Sequence, residues 1–298
     1  MDRQTLSGWP LTKLRPNWGD RNQGFVMSVS KRPLVTFVVP AFNVPPDVLK
    51  ESFQSIRAQT FEGFECIVVD ESTDAGLAQA CRLACAEDPR FIYVKPAQRI
   101  GLAGSLNLGI EKANGEWIAR FDSDDICLPH RLEAQIAFLQ QHPDVDILGG
   151  GLEIMNNEGI TFATRRYPAT HGEITKAMQL TTGIAHPTAM YRRSVVQNVG
   201  GYDPAFRFAE DLELWLRLMN VGARFANLQS TLVRYRQENV RRHRNHWKFN
   251  FRARTKNFST SFLIRRMLGI AAVGAWTVIP ARAQETIMKA LLLRRTKR

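Results

Sequence analysis

The stretch Leu34-Val35-Thr36-Phe37-Val38-Val39-Pro40-Ala41-Phe42-Asn43 sets the reading of the whole chain. Its apolar, β-branched run predicts a buried strand over 34–39, stopped by Pro40. Pro46 then suits the first position of a helix whose Leu49, Phe53 and Ile56 recur at i, i+4 and i+7. Outward from there the alternation repeats. Phe64–Val69 reads as a second strand ending at Asp70, Ala75–Ala86 as a helix and Phe91–Val94 as a short strand. Leu102–Ala113 reads as a third helix, with Asn114-Gly115 expected to supply a left-handed cap. Trp117–Phe121 is a fourth strand running into Asp122-Ser123-Asp124-Asp125, and Pro129 opens a helix that lasts to His142.

Strands alternating with helices predict an α/β fold with a mainly parallel, doubly wound sheet flanked by helices. Such sheets bind ligands beyond the carboxyl ends of their strands. Three polar clusters fall at those ends: Pro40-Ala41-Phe42-Asn43, Asp70-Glu71-Ser72 and Asp122-Ser123-Asp124. The second half is less regular. Thr170-x-x-Glu173 predicts a capping box opening a helix to about Leu180. Thr188–Tyr191 suggests a strand, Asp211–Asn220 an amphipathic helix, and Arg224–Leu228 and Thr231–Tyr235 two short strands.

The chain has 298 residues, 44% hydrophobic and 23% charged, which excludes a disordered, collagen-like or disulfide-scaffold protein. Its net charge of +12 is unevenly spread. Residues 241–298 hold 15 Lys/Arg and one acid, Glu285, so residues 1–240 are close to neutral. We divide the chain into a flexible, polar leader over 1–31, a main domain over 32–240 and a basic amphipathic helical tail over 241–298. Cys66, Cys81, Cys85 and Cys127 lack zinc-site spacing and read as buried thiols kept reduced in the cytosol. The longest uncharged run, Met267–Ala281, has 15 residues and is too short to span a bilayer, which needs about 20.

Asp122 and Asp124 form a two-carboxylate cluster on a tight loop after a buried strand. Hard divalent cations such as Mg²⁺ take oxygen ligands of this kind, often with substrate phosphate oxygens. Alone, the pair reads equally well as polar turn chemistry between a strand and a helix.

The wider pattern adds to it. Val38-Val39-Pro40-Ala41-Phe42-Asn43, Val68-Val69-Asp70-Glu71-Ser72-Thr73-Asp74, Gly101-x-x-x-Ser105-x-Asn107-x-Gly109 and Phe121-Asp122-Ser123-Asp124-Asp125 occur in this order. His186-Pro187-Thr188, Gly200-Gly201-Tyr202-Asp203 and Glu210-Asp211-Leu212-Glu213-Leu214-Trp215 follow. Together they resemble the family 2 inverting glycosyltransferases of the GT-A (Rossmann-like) fold, especially bacterial cell-surface polysaccharide enzymes, over residues 33–236.

The resemblance implies roles. Pro40, Ala41, Asn43, Asp70 and Gly101 match positions that cradle the nucleoside of a nucleotide-sugar donor, UDP- or dTDP-linked if Asp70 accepts a pyrimidine imide N–H. Asp122 and Asp124 match the acids facing the ribose and the diphosphate-bound Mg²⁺ or Mn²⁺. Asp211 matches the general base, while Glu210 and His186 fall in the acceptor cleft. Asn107 and Gly109 read as helix-packing residues. Two departures stand out. Glu71 occupies a position where Asp is usual. The segment Tyr235-Arg236-Gln237-Glu238 has Glu238 where relatives carry a His that completes the metal site, so Glu238, His243 or water is the third ligand.

The expectation is therefore a metal-dependent inverting glycosyltransferase acting on a glycan or lipid-linked acceptor in surface polysaccharide synthesis. A nucleotidyltransferase would want a glycine- and cation-rich loop after the first strand, and Pro40–Pro46 has neither. A nucleic-acid-binding role for the tail lacks any helix-turn-helix, zinc-finger or RNP signature, and no nucleic-acid partner is expected. We expect instead a cytoplasmic protein held peripherally on the inner face of the plasma membrane. The tail would bind anionic lipid with its cations and embed Leu268, Ile270, Val273 and Trp276.

Overall fold

In a computed structural model, residues 32–237 and 244–279 are described. The first half is built as the alternation predicts. Strands β1 (Val35–Ala41), β2 (Phe64–Asp70), β3 (Phe91–Val94) and β4 (Trp117–Arg120) are connected through helices α1 (Pro46–Arg57), α2 (Ala75–Ala86) and α3 (Gly101–Lys112). β1 runs parallel to β2 and β4, and β2 parallel to β3. Pro46 starts α1, as expected, because its missing N–H costs nothing in a first turn.

Sidedness follows from the period-2 alternation of the strands. Val35, Phe37 and Val39 of β1 with Cys66 and Val68 of β2 pack against Leu49, Phe53 and Ile56 of α1 and Cys81 and Cys85 of α2. Val38, Ile67 and Val69 face the other way, onto Ala103, Leu106 and Ile110 of α3. All four cysteines are buried free thiols. Gly109 is a packing residue as expected: a Cβ there would stand 2.4 Å from Val38 Cγ1. Asn107 likewise braces the fold, its amide exchanging hydrogen bonds with the Tyr202 backbone N–H (2.7 Å) and carbonyl (2.8 Å).

The expected left-handed cap at Asn114-Gly115 is absent. Ala113 is extended after α3, and neither Asn114 nor Gly115 has a positive φ. Asn114 donates its backbone N–H to the Glu65 carboxylate at 2.7 Å, and Gly115 donates to Thr36 Oγ1 at 2.9 Å. Gly115 is there for close approach, since a Cβ would meet the Thr36 backbone nitrogen at 2.6 Å.

Beyond β4 the chain forms β5 (Ile126–Cys127), α4 (Arg131–Gln141), β6 (Ile147–Met155), β7 (Thr161–Arg165), α5 (His171–Met178) and β8 (Met190–Arg192). Helices α6 (Arg193–Asn198) and α7 (Glu210–Asn220) then precede β9 (Phe225–Arg236). The described strands form one sheet ordered β3-β2-β1-β4-β8-β6-β9-β5, with β7 beside β6. The mainly parallel expectation holds for the β3-β2-β1-β4 half. In the other half β8, β5 and β7 enter antiparallel, and only β6 and β9 pair in parallel.

One expectation changes here and one holds. The short strands over 224–228 and 231–235 are one strand, β9, whose pairing with β6 shifts register at Gly149, Gly150 and Gly151. A Cβ at Gly149 would lie 2.2 Å from Asn227 Oδ1, and one at Gly150 2.4 Å from Leu232 Cδ1, so glycines let the irregular strand press close. The Thr170–Glu173 capping box is present and opens α5, which ends at Met178.

Helices α8 (Arg244–Lys256) and α9 (Leu263–Val278) pack on the domain. Arg254 is 3% exposed and donates to the carbonyls of Met178, Gln179 and Thr181, the orphan acceptors at the end of α5. Arg266, also 3% exposed, reaches Gln179 Oε1 and the Asn257 carbonyl. Lys256 Nζ bridges Asp203 (2.7 Å) and Glu213 (2.8 Å). The expected embedded set is corrected accordingly. Val273 is buried, and Trp276 stacks edge-on with Trp247 at 5.7 Å, whereas Leu268 points outward. The leader over 1–31 and the tail residues 280–298 lie outside the described residues.

Candidate active site

The carboxyl ends of β1 and β2 are locked together by Asn43. Its backbone sits in the left-handed region at φ 50, which Asn tolerates better than most residues. Its N–H donates to Ser72 Oγ (2.8 Å), and its side-chain oxygen accepts from the backbone of Thr73 (2.9 Å) and Asp74 (3.2 Å). Pro40 and Ala41 end β1 beside it, and the Ala41 carbonyl receives the Glu71 N–H at 2.9 Å.

Asp70 is fully buried. It accepts from the Ser72 backbone (2.8 Å), the Tyr93 hydroxyl (2.8 Å) and Lys95 Nζ (3.4 Å). A base imide reaching it must use a lone pair that these donors leave open. Tyr93, Lys95 and Arg82 line a groove next to it that sequence reasoning missed. Glu71 accepts from the backbone of Ile100 and Gly101, fixing the start of α3. Gly101 has φ 72 with nothing within 4 Å of where a Cβ would stand, so conformation, not crowding, selects glycine there.

The loop after β4 concentrates negative charge. Arg120, 3% exposed at the strand end, is paired with Asp122. Burial and then the charge of Asp122 push Asp124 up to about 6, and burial with the charges of Asp122 and Asp124 holds Asp125 well above the usual carboxylate range. Asp125 accepts the Arg236 backbone N–H at 2.8 Å, while its second oxygen is buried without a hydrogen-bond partner. Arg236 clamps this loop to the end of β9, donating to the Asp124 carbonyl (2.9 Å) and to Glu51 (2.7 Å).

Across the cleft, α7 begins after Ala209, itself left-handed at φ 55, and presents Glu210 and Asp211 where the helix dipole favours anions. Glu210 is pushed up to about 7, by burial first and by Asp211 second. Asp211 is half-buried, and one of its oxygens accepts the Leu212 backbone N–H at 2.7 Å. Leu212 and Trp215 are buried in the core, and Glu210 is the carboxylate removed from water. His186 occupies a short 3₁₀ turn, with Nδ1 3.7 Å from Glu210 Oε1 and Nε2 2.8 Å from the Tyr202 hydroxyl. Burial, reinforced by the charge of Arg120, holds this imidazole well below its ordinary value.

One cleft of about 510 Å³ thus gathers Asp122, Asp124, His186, Glu210 and Asp211. Pro40, Ala41, Asn43, Asp70 and Gly101 are not among its lining residues. Sequence reasoning missed Arg120, Arg165, Arg207 and, from α8, His246 among those that line it. A charged residue inside the buried strand Trp117–Arg120 was the available signal for Arg120. Among the described residues no three His, Cys, Asp or Glu side chains gather as a metal site, and Glu238 and His243 lie outside them. The carboxylates still fit a hard divalent cation. All the donors are oxygens, two of the acids are raised by mutual repulsion and burial, and Asp125 keeps a buried oxygen unpaired.

A profile described as Glycosyl transferase family 2 matches residues 36–200. An uncharacterized glycosyltransferase of Haemophilus influenzae is 35% identical over 189 residues, covering 63% of this chain and 70% of the relative. The O-antigen biosynthesis glycosyltransferase WbnJ of Escherichia coli is 34% identical over 192 residues, 63% of this chain and 74% of its own. Among solved structures, S. aureus TarS 1-349 in complex with UDP-GlcNAc superposes with a TM-score of 0.59 at 19% identity, over 74% of this chain and 66% of that one. The chain spans 39% of the longer TarS chain. The mannosyltransferase PcManGT from Pyrobaculum calidifontis, in complex with GDP-Man and Mn2+, superposes with a TM-score of 0.56 at 17% identity, over 88% of this chain and 81% of that one. At these identities the two structures speak for the GT-A fold alone.

Proposed function

The chain belongs to glycosyl transferase family 2, and on that premise we propose that it transfers a sugar with inversion from a UDP- or dTDP-linked donor to a glycan or lipid-linked acceptor in surface polysaccharide synthesis. One observation carries the reading. The acids Asp122 and Asp124 after β4 and the acids Glu210 and Asp211 at the start of α7 face a common cleft, as a single displacement between a diphosphate and a base would require. The UDP-GlcNAc held by TarS and the O-antigen role in the name of WbnJ support the donor and pathway class.

In this reading Pro40, Ala41, Asn43, Asp70 and Gly101 receive the nucleoside, with Asp70 selecting uracil or thymine through its remaining lone pair. Asp122 faces the ribose and, with Asp124, would hold Mg²⁺ or Mn²⁺. Such a cation, when bound, neutralises charge developing on the departing diphosphate. Arg120 and Arg236 fix the loop that carries these acids. Asp211 accepts the proton of the acceptor hydroxyl as that oxygen attacks the anomeric carbon. Glu210, protonated in part near neutrality, and neutral His186 line the acceptor side and can hydrogen-bond sugar hydroxyls without adding charge.

No helix among the described residues is long and apolar enough to cross a membrane. The +14 charge of residues 241–298 supports peripheral attachment to an anionic, cytoplasmic leaflet. The test of the catalytic reading is a hydrolysis and transfer screen of UDP-, dTDP- and GDP-linked sugars with Mn²⁺ and with EDTA. A uridine or thymidine donor consumed only with metal is expected. Exclusive use of a guanosine donor, or full turnover in EDTA, would overturn the donor or the metal assignment.

A further inference from the structure

Helix α9 is turned inside out relative to a helix that packs its apolar face on a core. Its inner face carries Arg266, Gly269 and Val273, which are buried against the rest of the fold. A Cβ at Gly269 would stand 1.9 Å from the Gln179 carbonyl oxygen, so this face is held flush against the end of α5. The outer face carries Leu263, Ile264, Met267 and Leu268, with Ile264 76%, Leu268 59% and Met267 55% exposed, and continues through Ala271, Ala272 and Ala275. These positions fall at i, i+1, i+4, i+5, i+8, i+9 and i+12, one continuous side of a 3.6-residue helix. Phe258 and Phe262, in the turn entering α9, add two exposed rings.

We propose that this outer face of α9, with Phe258 and Phe262, is an insertion surface for the headgroup region of an anionic lipid bilayer. The inference rests on the peripheral attachment proposed above and replaces charge alone with a defined apolar contact. The occupant follows from charge. Residues 241–298 carry +14 with Glu285 as their one acid, and Arg265 stands exposed at the edge of the apolar stripe. Two copies meeting through this face would bring two such cationic segments together, whereas an anionic leaflet complements them. The helix is 16 residues long, about 24 Å at 1.5 Å per residue, and its inner face holds the buried Arg266. It therefore lies in the interface and does not cross it.

The test is flotation of the full chain with phosphatidylcholine vesicles and with vesicles that also contain phosphatidylglycerol. It is run in low salt and in about 1 M salt, where charges are screened beyond about 3 Å. The parent is expected to float with anionic vesicles and to keep a bound fraction in high salt. Ile264→Ser with Leu268→Ser, both at exposed positions, is expected to lower that salt-resistant fraction roughly tenfold or more while leaving the melting temperature unchanged. An Ile264→Trp variant should show a blue-shifted emission on adding anionic vesicles. A parent that does not float in low salt overturns the attachment reading and the inference together. A serine variant that floats like the parent in high salt overturns the inference alone and leaves attachment to charge. A parent that sediments as a dimer without vesicles, and becomes monomeric in the serine variant, makes a second copy the occupant and also overturns it.

Discussion

His186 Nδ1 lies 3.7 Å from Glu210 Oε1, while the other ring nitrogen reaches the Tyr202 hydroxyl at 2.8 Å. The two groups are displaced in opposite directions, Glu210 up to about 7 and His186 well below its ordinary value. Near neutrality the pair is therefore a contact between a largely uncharged imidazole and a half-protonated acid. It is not an ion pair. Burial produces both displacements, because a low-dielectric site disfavours whichever form is charged.

This relationship makes stability depend on pH. Between the ordinary glutamate range and about pH 7 the folded chain holds a proton on Glu210 that the unfolded chain has lost, so this residue's contribution falls as pH rises through that window. Glu210→Gln removes the titration. Relative to the parent it should gain on the order of 1–3 kcal/mol between about pH 5 and about pH 8. Urea midpoints of both proteins, measured in EDTA at the two pH values, check this. A difference that stays constant with pH would count against the raised acid.

Asp211 and Glu210 should separate kinetically. Asp211→Asn keeps the shape and loses the basicity, so turnover should fall by roughly 10²–10⁴-fold with donor affinity retained. Glu210→Gln should retain more turnover and change the dependence on acceptor concentration. Steady-state rates with titration calorimetry of the nucleotide diphosphate decide between them, and the reverse pattern would move the base to Glu210.

The roles of the two adjacent acids Asp124 and Asp125 in the loop after β4 should also separate. Asp124→Ala is expected to abolish the stimulation of transfer by Mn²⁺ without loss of fold. Asp125→Ala should instead lower thermal stability, by about 1–3 kcal/mol, because its carboxylate holds the Arg236 backbone N–H at the end of β9. Metal titrations of rate, paired with melting curves, provide the comparison. Unchanged metal stimulation in Asp124→Ala would remove that residue from the cation.

Arg254 ties α8 to the end of α5 through three carbonyls. Arg254→Met keeps much of the bulk and leaves those acceptors buried without a donor, at a cost of about 3 kcal/mol. A chain cut at residue 241 should suffer more, since the apolar surface under α8 and α9 is uncovered as well. Thermal unfolding of both forms measures this, and a truncated chain as stable as the parent would show that the helices merely rest on the domain.

The strands β1 to β4, their helices and the acids at their ends were legible because each signal is local. A run of β-branched residues, an i, i+4, i+7 repeat, a proline at a helix start and a capping box at Thr170 act within a few residues of themselves. The candidate site was legible to the same extent. The sequence names Asp70, Asp122, Asp124, Glu210 and Asp211 and their place at strand and helix ends.

What remained required partners distant in the chain. The glycines of Ile147–Met155 hide a long strand until the side chains of Asn227 and Leu232 approach them, and β9 looks like two strands because its irregular middle pairs with those same glycines. Arg120 gains a role only once Asp122 turns back onto it, and Glu210 is raised only once the core closes over it. The clearest division is in α9. The sequence determined an amphipathic helix in a basic tail. The tertiary structure decided which side faces out, because Arg266 finds Gln179 and Asn257, and Gly269 admits the Gln179 carbonyl, on the one face where a larger side chain would clash. Local sequence sets periodicity and charge; which groups lose their water is set by contacts made across the whole fold.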